Sequence, residues 1–323
     1  MKIVGNKKAA ILITVGFIFL IVLIAVGIIY LSGRKKYPEE PLLAQNLGTS
    51  EVELDISNMK RDMDITDVPV YSVKPNLHIS EVEEMINQVG LSLERKDIVK
   101  DSYIEWSNEE NMFTYDSVLD TLTFQISESI SIERGVEGFS NIFSRYFDIE
   151  YEFTLVQEKK NADGGITYYA SRMVGEVPIQ FGSKYEYSDI LKFDKEGNLE
   201  SGSLLLAEIK EYDYYLPLIT QRELVEFVNL NEYPKEYHLD TGVLMDFLEI
   251  DYLDDQWEDI EKSVSDCNGG DSELVFLFKN SNQGALLPVF KISSICKVYK
   301  SNLEYSVPAI FYVNAVNPKY VTL

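Results

Sequence analysis

Apolar residues recur along the chain in two rhythms, three to four residues apart in three short stretches and every second residue in most of the others. The first helical stretch opens at Ser80, with Glu83 at capping-box spacing, places Val82, Met85, Ile86 and Val89 on one face, and meets Gly90 where a helix should end. The second covers 136–147, where Phe139, Ile142, Phe143, Tyr146 and Phe147 make a broad apolar face. The third opens on another capping box, Thr220 to Glu223, and continues through Leu224, Phe227, Val228 and Leu230. Between these helices lie runs of strand composition at 102–106, 112–116 and 121–127, then at 151–159, 166–174, 185–194 and 199–209, and finally at 272–279, 286–300 and 307–316. Asn161–Gly165 and Asp194–Asn198 supply the glycines and asparagines that tight hairpins require. The links between successive strands are too short for parallel crossovers. The pattern therefore predicts an α+β protein of antiparallel sheets with packed helices, in a first module at 76–147 and a larger second region at 148–323.

Ahead of these modules the pattern changes in kind. From Ala9 to Leu31 there are 23 residues without a charge. At about 1.5 Å per residue they span roughly 34 Å, enough for a bilayer core of about 30 Å. The run exceeds the apolar core of a cleaved signal peptide, and its small residues Ala25 and Gly27 lie inside it, so an uncleaved transmembrane helix at 9–31 is expected behind a short tail at 1–8. Basic residues flank both ends almost equally, so the favoured orientation, N-terminus cytoplasmic and bulk of the chain extracellular, rests on the behaviour of signal anchors rather than on the charge count. Residues 32–75 contain Pro38, Pro41, Pro69 and Pro75 among scattered acids and read as a stalk reaching roughly 35 Å.

Charge divides at the same place. The first 36 residues hold six bases and no acid, which leaves 23 bases against 53 acids, a net −30, for the rest of the 323-residue chain. Such a body is repelled by phosphates, so nucleic acid is excluded as a partner and flat contact with anionic lipid is disfavoured. With 46% hydrophobic residues the chain still has the composition of a folded protein. The acids concentrate at 246–261, eight in sixteen residues, without the alternating oxygens and central glycine of an EF-hand. A solvated surface segment and a docking patch for a basic partner both suit that stretch. Only two histidines occur, His78 and His238, neither with metal-ligand neighbours, and no catalytic triad can be assembled around them. No metal or cofactor is expected. Two cysteines, Cys267 and Cys296, leave two readings open: a disulfide in an oxidising compartment, or two unrelated thiols with Cys267 in a turn-like Asp-Cys-Asn-Gly-Gly-Asp. Tyrosines at 168, 169, 185, 187, 212, 214 and 215 either cover a half-buried sheet or line a groove. The candidate partner surface comprises Tyr168, Tyr185, Tyr187 and Tyr212 with Asp251, Asp254, Asp255 and Glu258.

In order, the chain carries Gly175-Glu-Val-Pro-Ile179, Leu191-Lys-Phe-Asp-Lys-Glu-Gly-Asn-Leu199, Leu216-Pro-Leu-Ile-Thr-Gln-Arg-Glu223, Leu287-Pro-Val-Phe-Lys291 and Phe311-Tyr-Val-Asn-Ala315. That succession, within residues 80 to 315, resembles the PepSY-like extracytoplasmic proteins, in particular the YycH/YycI regulators of a membrane sensor kinase in Gram-positive bacteria. Phe290, where a Trp is often found, and the acidic insert depart from it. The resemblance implies sheet-and-helix modules held outside the cell by one N-terminal anchor, and a non-enzymatic, regulatory role toward an envelope or membrane protein. The alternatives are a carboxylate-dependent wall hydrolase, for which 53 acids supply abundant but uninformative candidates, and a passive envelope scaffold.

Overall fold

The computed structural model describes residues 37–322 except 39–41, 44–46, 48–49, 58, 60–64, 75–78, 100–101, 131, 148–149, 182–186, 231–232, 241–259, 261–262, 281–282 and 301. The expected membrane helix at 9–31 lies outside the described residues, as do His78, Tyr185 and the acids of 246–259. Within the described residues no helix is long and apolar enough to cross a membrane.

Strands β1 (Leu42–Leu43), β2 (Leu54–Asp55) and β3 (Asp67–Lys74) precede helix α1 (Ile79–Gln88), after which come β4 (Glu94–Val99), β5 (Tyr103–Ser107), β6 (Met112–Asp116) and β7 (Thr121–Ile130). Helix α2 (Val136–Phe147) opens the next run: β8 (Phe153–Lys160), β9 (Ile166–Val174), β10 (Val177–Phe181), β11 (Asp189–Phe193), β12 (Leu199–Leu205) and β13 (Glu208–Pro217). Helix α3 (Gln221–Phe227) is followed by β14 (Lys235–Leu239), β15 (Ser265–Phe278), β16 (Ala285–Lys300), β17 (Leu303–Asn314) and β18 (Val321–Thr322).

The expectation of an α+β protein built from antiparallel sheets is overturned. Among the described residues strand accounts for 56% and helix for 15%, and their strands join into one mixed sheet of 16 strands, with β1 and β18 forming a separate parallel pair. The physical reason lies in sequence separation. Short links forbid parallel pairing only between successive strands, whereas β10 and β2 run parallel to β15, far away in sequence, with Ile179 beside Phe276 and Leu54 beside Cys267. The turn reading of Asp266–Asp271 also fails. These residues lie inside β15, where register shifts accommodate them, and a Cβ on Gly269 would come within 2.8 Å of Ile56 Cγ2. Glycine is what allows the β2 segment to approach there.

One half of the sheet is wholly antiparallel, in the order β4-β5-β6-β7-β12-β11-β9-β8. It contains a repeat: α1 followed by β4 to β7, then α2 followed by β8, β9, β11 and β12. The last strand of each unit pairs antiparallel with the other, so the two units are related by an approximate two-fold axis through the sheet. Val82, Met85 and Ile86 of α1 and Phe139, Ile142 and Phe143 of α2 cover one face, over Trp106, Phe113, Phe124, Leu191 and Phe193. Burying such side chains stabilises by roughly 1.5–3 kcal/mol each. α1 begins at Ile79, so Ser80 sits inside its first turn rather than at the cap, while Gly90, at φ +85°, ends it as its position predicts.

The other half is built on β15, β16 and β17, with β14 on the outer side of β17 and with β3 and β13 joined through Ala285 and Leu286 of β16. Leu274, Phe276 and Phe278 alternate into a second core with Ile292, Phe311, Val313 and Leu224, while Val275 and Leu277 face the opposite side with Val289 and Tyr312. Residues 65–74 of the expected stalk belong to this half, with Val68, Val70 and Val73 buried in its core. Thr220 caps α3: its hydroxyl accepts from the Glu223 amide at 3.2 Å and its amide donates to the Glu223 carboxylate at 2.7 Å.

Candidate functional site

Charged groups converge where the two halves are linked, at Leu205–Ala207 between β12 and β13. Arg172 and Asp189 occupy inward-facing positions on neighbouring strands, in series with Tyr168 and Ala170 on β9 and with Leu191 and Phe193 on β11. Both are fully buried. The Arg172 guanidinium donates to the carbonyls of Leu205 and, at 2.8 Å, of Ala207, and lies over the Tyr151 ring at 3.8 Å and the Phe143 ring at 4.9 Å. Asp189 accepts from the Leu205 amide at 3.0 Å and from the Ser188 hydroxyl. The Asp120 carbonyl accepts from the Leu206 amide at 2.7 Å, and its carboxylate accepts from the Tyr115 hydroxyl at 2.7 Å. Burial pushes Asp189 up to about 6, against the pull of Arg172 and of the hydrogen bonds from Ser188 and Leu205. A carboxyl raised in this way suits a general acid, yet its oxygens are committed to main chain and Ser188. What the cluster does chemically is fasten the linker.

A second polar row crosses the opposite half. Glu236, Tyr312, Lys291 and Glu273 stand in register on β14, β17, β16 and β15. Lys291 Nζ is 2.7 Å from Glu273 Oε1, and the Tyr312 hydroxyl donates to Gln180 Oε1 at 3.1 Å. Glu236 meets the Lys279 ammonium, and His238 Nε2 lies 3.1 Å from its other oxygen, so His238 is a strand residue beside the Glu236–Lys279 ion pair. Burial works against the Glu236 charge, but His238 and Lys279 outweigh it and hold the carboxyl down to about 2.

Cys267 and Cys296 are joined across β15 and β16, S–S 1.98 Å, and both are buried. Of the described candidate tyrosines, Tyr168 packs edge-on against Phe193 in the first core, Tyr187 lies 4.5 Å from Tyr169 ring to ring, and Tyr212 stands on β13. Asp251, Asp254, Asp255 and Glu258, like Tyr185, lie outside the described residues. Among the described residues no group of three His, Cys, Asp or Glu side chains is arranged to hold a metal ion. Between α1, α2 and the sheet lies a cavity of about 40 Å³ with apolar walls, among them Met85, Phe113, Phe124, Ile142 and Phe147. Arg172 and Asp189 do not line it.

One exposed feature was only half visible in the sequence. Glu211 of β13 pairs with Tyr71 and Tyr215 with Pro69, so the three residues Tyr212, Asp213 and Tyr214 stand opposite Val70 alone. Pro69 has no N–H to donate and cannot continue a regular ladder, and Val70 is held in the core, so the surplus chain bulges outward. Tyr212 and Tyr214 are 46% and 44% exposed. Alternation named Tyr212 as a candidate, but a projecting bulge depends on the pairing with β3, which the local sequence does not announce.

No known protein family and no curated protein matches the chain. Among solved structures, similarity extends to an uncharacterized protein from Eubacterium rectale ATCC 33656, over 78% of this chain and 84% of that one, at 8% identity and a TM-score of 0.44. A likeness of that size carries no argument about fold or function.

Proposed function

We propose that the chain is a membrane-anchored extracytoplasmic binding protein that regulates or assembles with another envelope or membrane protein. The 23-residue apolar run at 9–31 supports the anchor, and the net −30 of the remainder supports a body held off an anionic surface. The observation that favours binding over chemistry is the use made of the buried charges. Arg172 and Asp189 are spent on main-chain groups of the linker and Glu236 on Lys279 and His238, whereas Tyr212 and Tyr214 are turned toward solvent. Tyrosine is the kind of residue that dominates interface energetics when exposed in a free protein. The resemblance to the YycH/YycI regulators favours a sensor kinase as the class of partner. Crosslinking of the full chain in its native membrane, followed by affinity capture, should enrich one membrane or envelope protein over a control membrane protein. Recovery of none would overturn the reading.

A further inference from the structure

Resting on that binding role, we propose that the Tyr212–Asp213–Tyr214 bulge of β13 is the contact surface and that it takes a basic, extended segment of a partner protein. Among the described residues the longer edge strands besides short β14 are β4, β8 and β13, and each carries a device against edge-to-edge pairing. β4 is exposed along its whole length but charged at Glu94, Arg95, Lys96 and Asp97, with a bulge at Ile98. β8 is bulged near Val156 and ends in Lys159 and Lys160. β13 has its own bulge and ends in Pro217. A partner adding a regular strand is therefore disfavoured at all three, and recognition falls to projecting side chains.

On β13 the projecting side chains have one chemistry. Tyr212 and Tyr214 offer aromatic faces of low conformational cost, and Glu211 and Asp213 alternate with them, all four exposed. The Glu211 charge already reaches the protein's own phenol Tyr71, which burial, then Glu211, pushes up to about 12. The nearest base along the strand, Lys210, is 2.8 Å from Glu208, which leaves the bulge itself acidic and aromatic. Guanidinium and ammonium groups complement both elements, through cation–π contact with the rings and ion pairs with the carboxylates. The overall negative field steers such a segment toward the body but does not select this place on it. The tyrosines do.

That distinction gives the test. The probe is a fluorescent decapeptide of alternating Arg and Thr, titrated against the full chain in detergent, with an alternating Glu and Thr peptide as control. The Arg peptide should bind, the Glu peptide should not, and Tyr212→Ser/Tyr214→Ser should weaken binding about tenfold or more with the charge unchanged. Glu211→Gln/Asp213→Asn should lower both affinity and its salt dependence. Unchanged binding by the tyrosine variant would show attraction by net charge alone and overturn the proposal, as would no binding by the unaltered chain. The membrane crosslinking described above is independent of this peptide. A captured partner together with an indifferent tyrosine variant would sink the surface and leave the binding role standing.

Discussion

At the scale of single residues, the described body is governed by a few buried charges whose partners are backbone groups. Removing Arg172 would take a charged donor from the carbonyls of Leu205 and Ala207 and leave Asp189 without its cation. Arg172→Met should therefore destabilise by about 3–5 kcal/mol in urea unfolding, the range for breaking a buried charge pair from one side. Asp189 makes the sign of a pH effect checkable. Its folded-state value is raised, to about 6, above the ordinary 3.8, so the folded protein holds the proton more tightly and stability from this group falls as pH rises through that window. Glu236 is displaced the other way, and its contribution is present at neutral pH and lost only as pH falls from the ordinary carboxylate range toward about 2. Between pH 7 and 5 Asp189 dominates. Unfolding should become harder by about 1 kcal/mol at pH 5, and Asp189→Asn should abolish that gain. Neither Arg172 nor Asp189 stands out in the sequence reading, although each is a charge at an inward position of a period-2 strand, Tyr168-Ala170-Arg172 and Asp189-Leu191-Phe193. Their target is not legible there either, because Leu205 and Ala207 become their neighbours only once β12 lies beside β11.

At the scale of elements, most local signals mark the elements that form, the exceptions being the Ser80 capping box and the Asp266–Asp271 turn. The Thr220–Glu223 box, the apolar stripe of α2, the helix stop at Gly90 and the hairpins at Asn161–Gly165 and Asp194–Asn198 are all where periodicity and turn chemistry place them. Nonlocal pairings were not legible. Nothing within β10 or β15 announces that they run parallel to each other, and nothing within 65–74 distinguishes a stalk from a core strand until β13 and β16 are at hand. The seam between the repeated units has a sharper requirement. A Cβ on Gly202 in β12 would come within 2.5 Å of the Phe124 ring and 2.8 Å of the Ile190 carbonyl oxygen, one atom in each neighbouring strand. Gly202→Ala should cost about 1–3 kcal/mol through overpacking, and it should accelerate amide exchange in β7 and β11 more than in β16 and β17. Uniform loss of protection across both halves would show that the seam is not where the strain falls. The Cys267–Cys296 bond closes a separation of 29 residues, so replacing both cysteines by serine should lower stability by about 3.6 kcal/mol in the chain-entropy account.

At the scale of the whole molecule, an apolar, basic N-terminal segment precedes a −30 body, and the proposed contact surface of that body is the β13 bulge. Charge arithmetic alone left two uses for the acidic surface, repulsion from the membrane and recruitment of something basic, and it located neither. The β13 bulge separates them, because general repulsion needs no tyrosines, whereas recruitment needs a place where aromatic and acidic groups stand together, as at 211–214. The most direct measurement is site-specific photocrosslinking of the full chain in its native membrane, with the probe at Tyr212 or, for comparison, at Val118, which is 49% exposed on the other half of the sheet. The account predicts an adduct with one membrane or envelope protein from position 212, absent from position 118 and diminished when ionic strength is raised to about 1 M, where the screening length is about 3 Å. No adduct from position 212, or the same adduct from both positions, would contradict it.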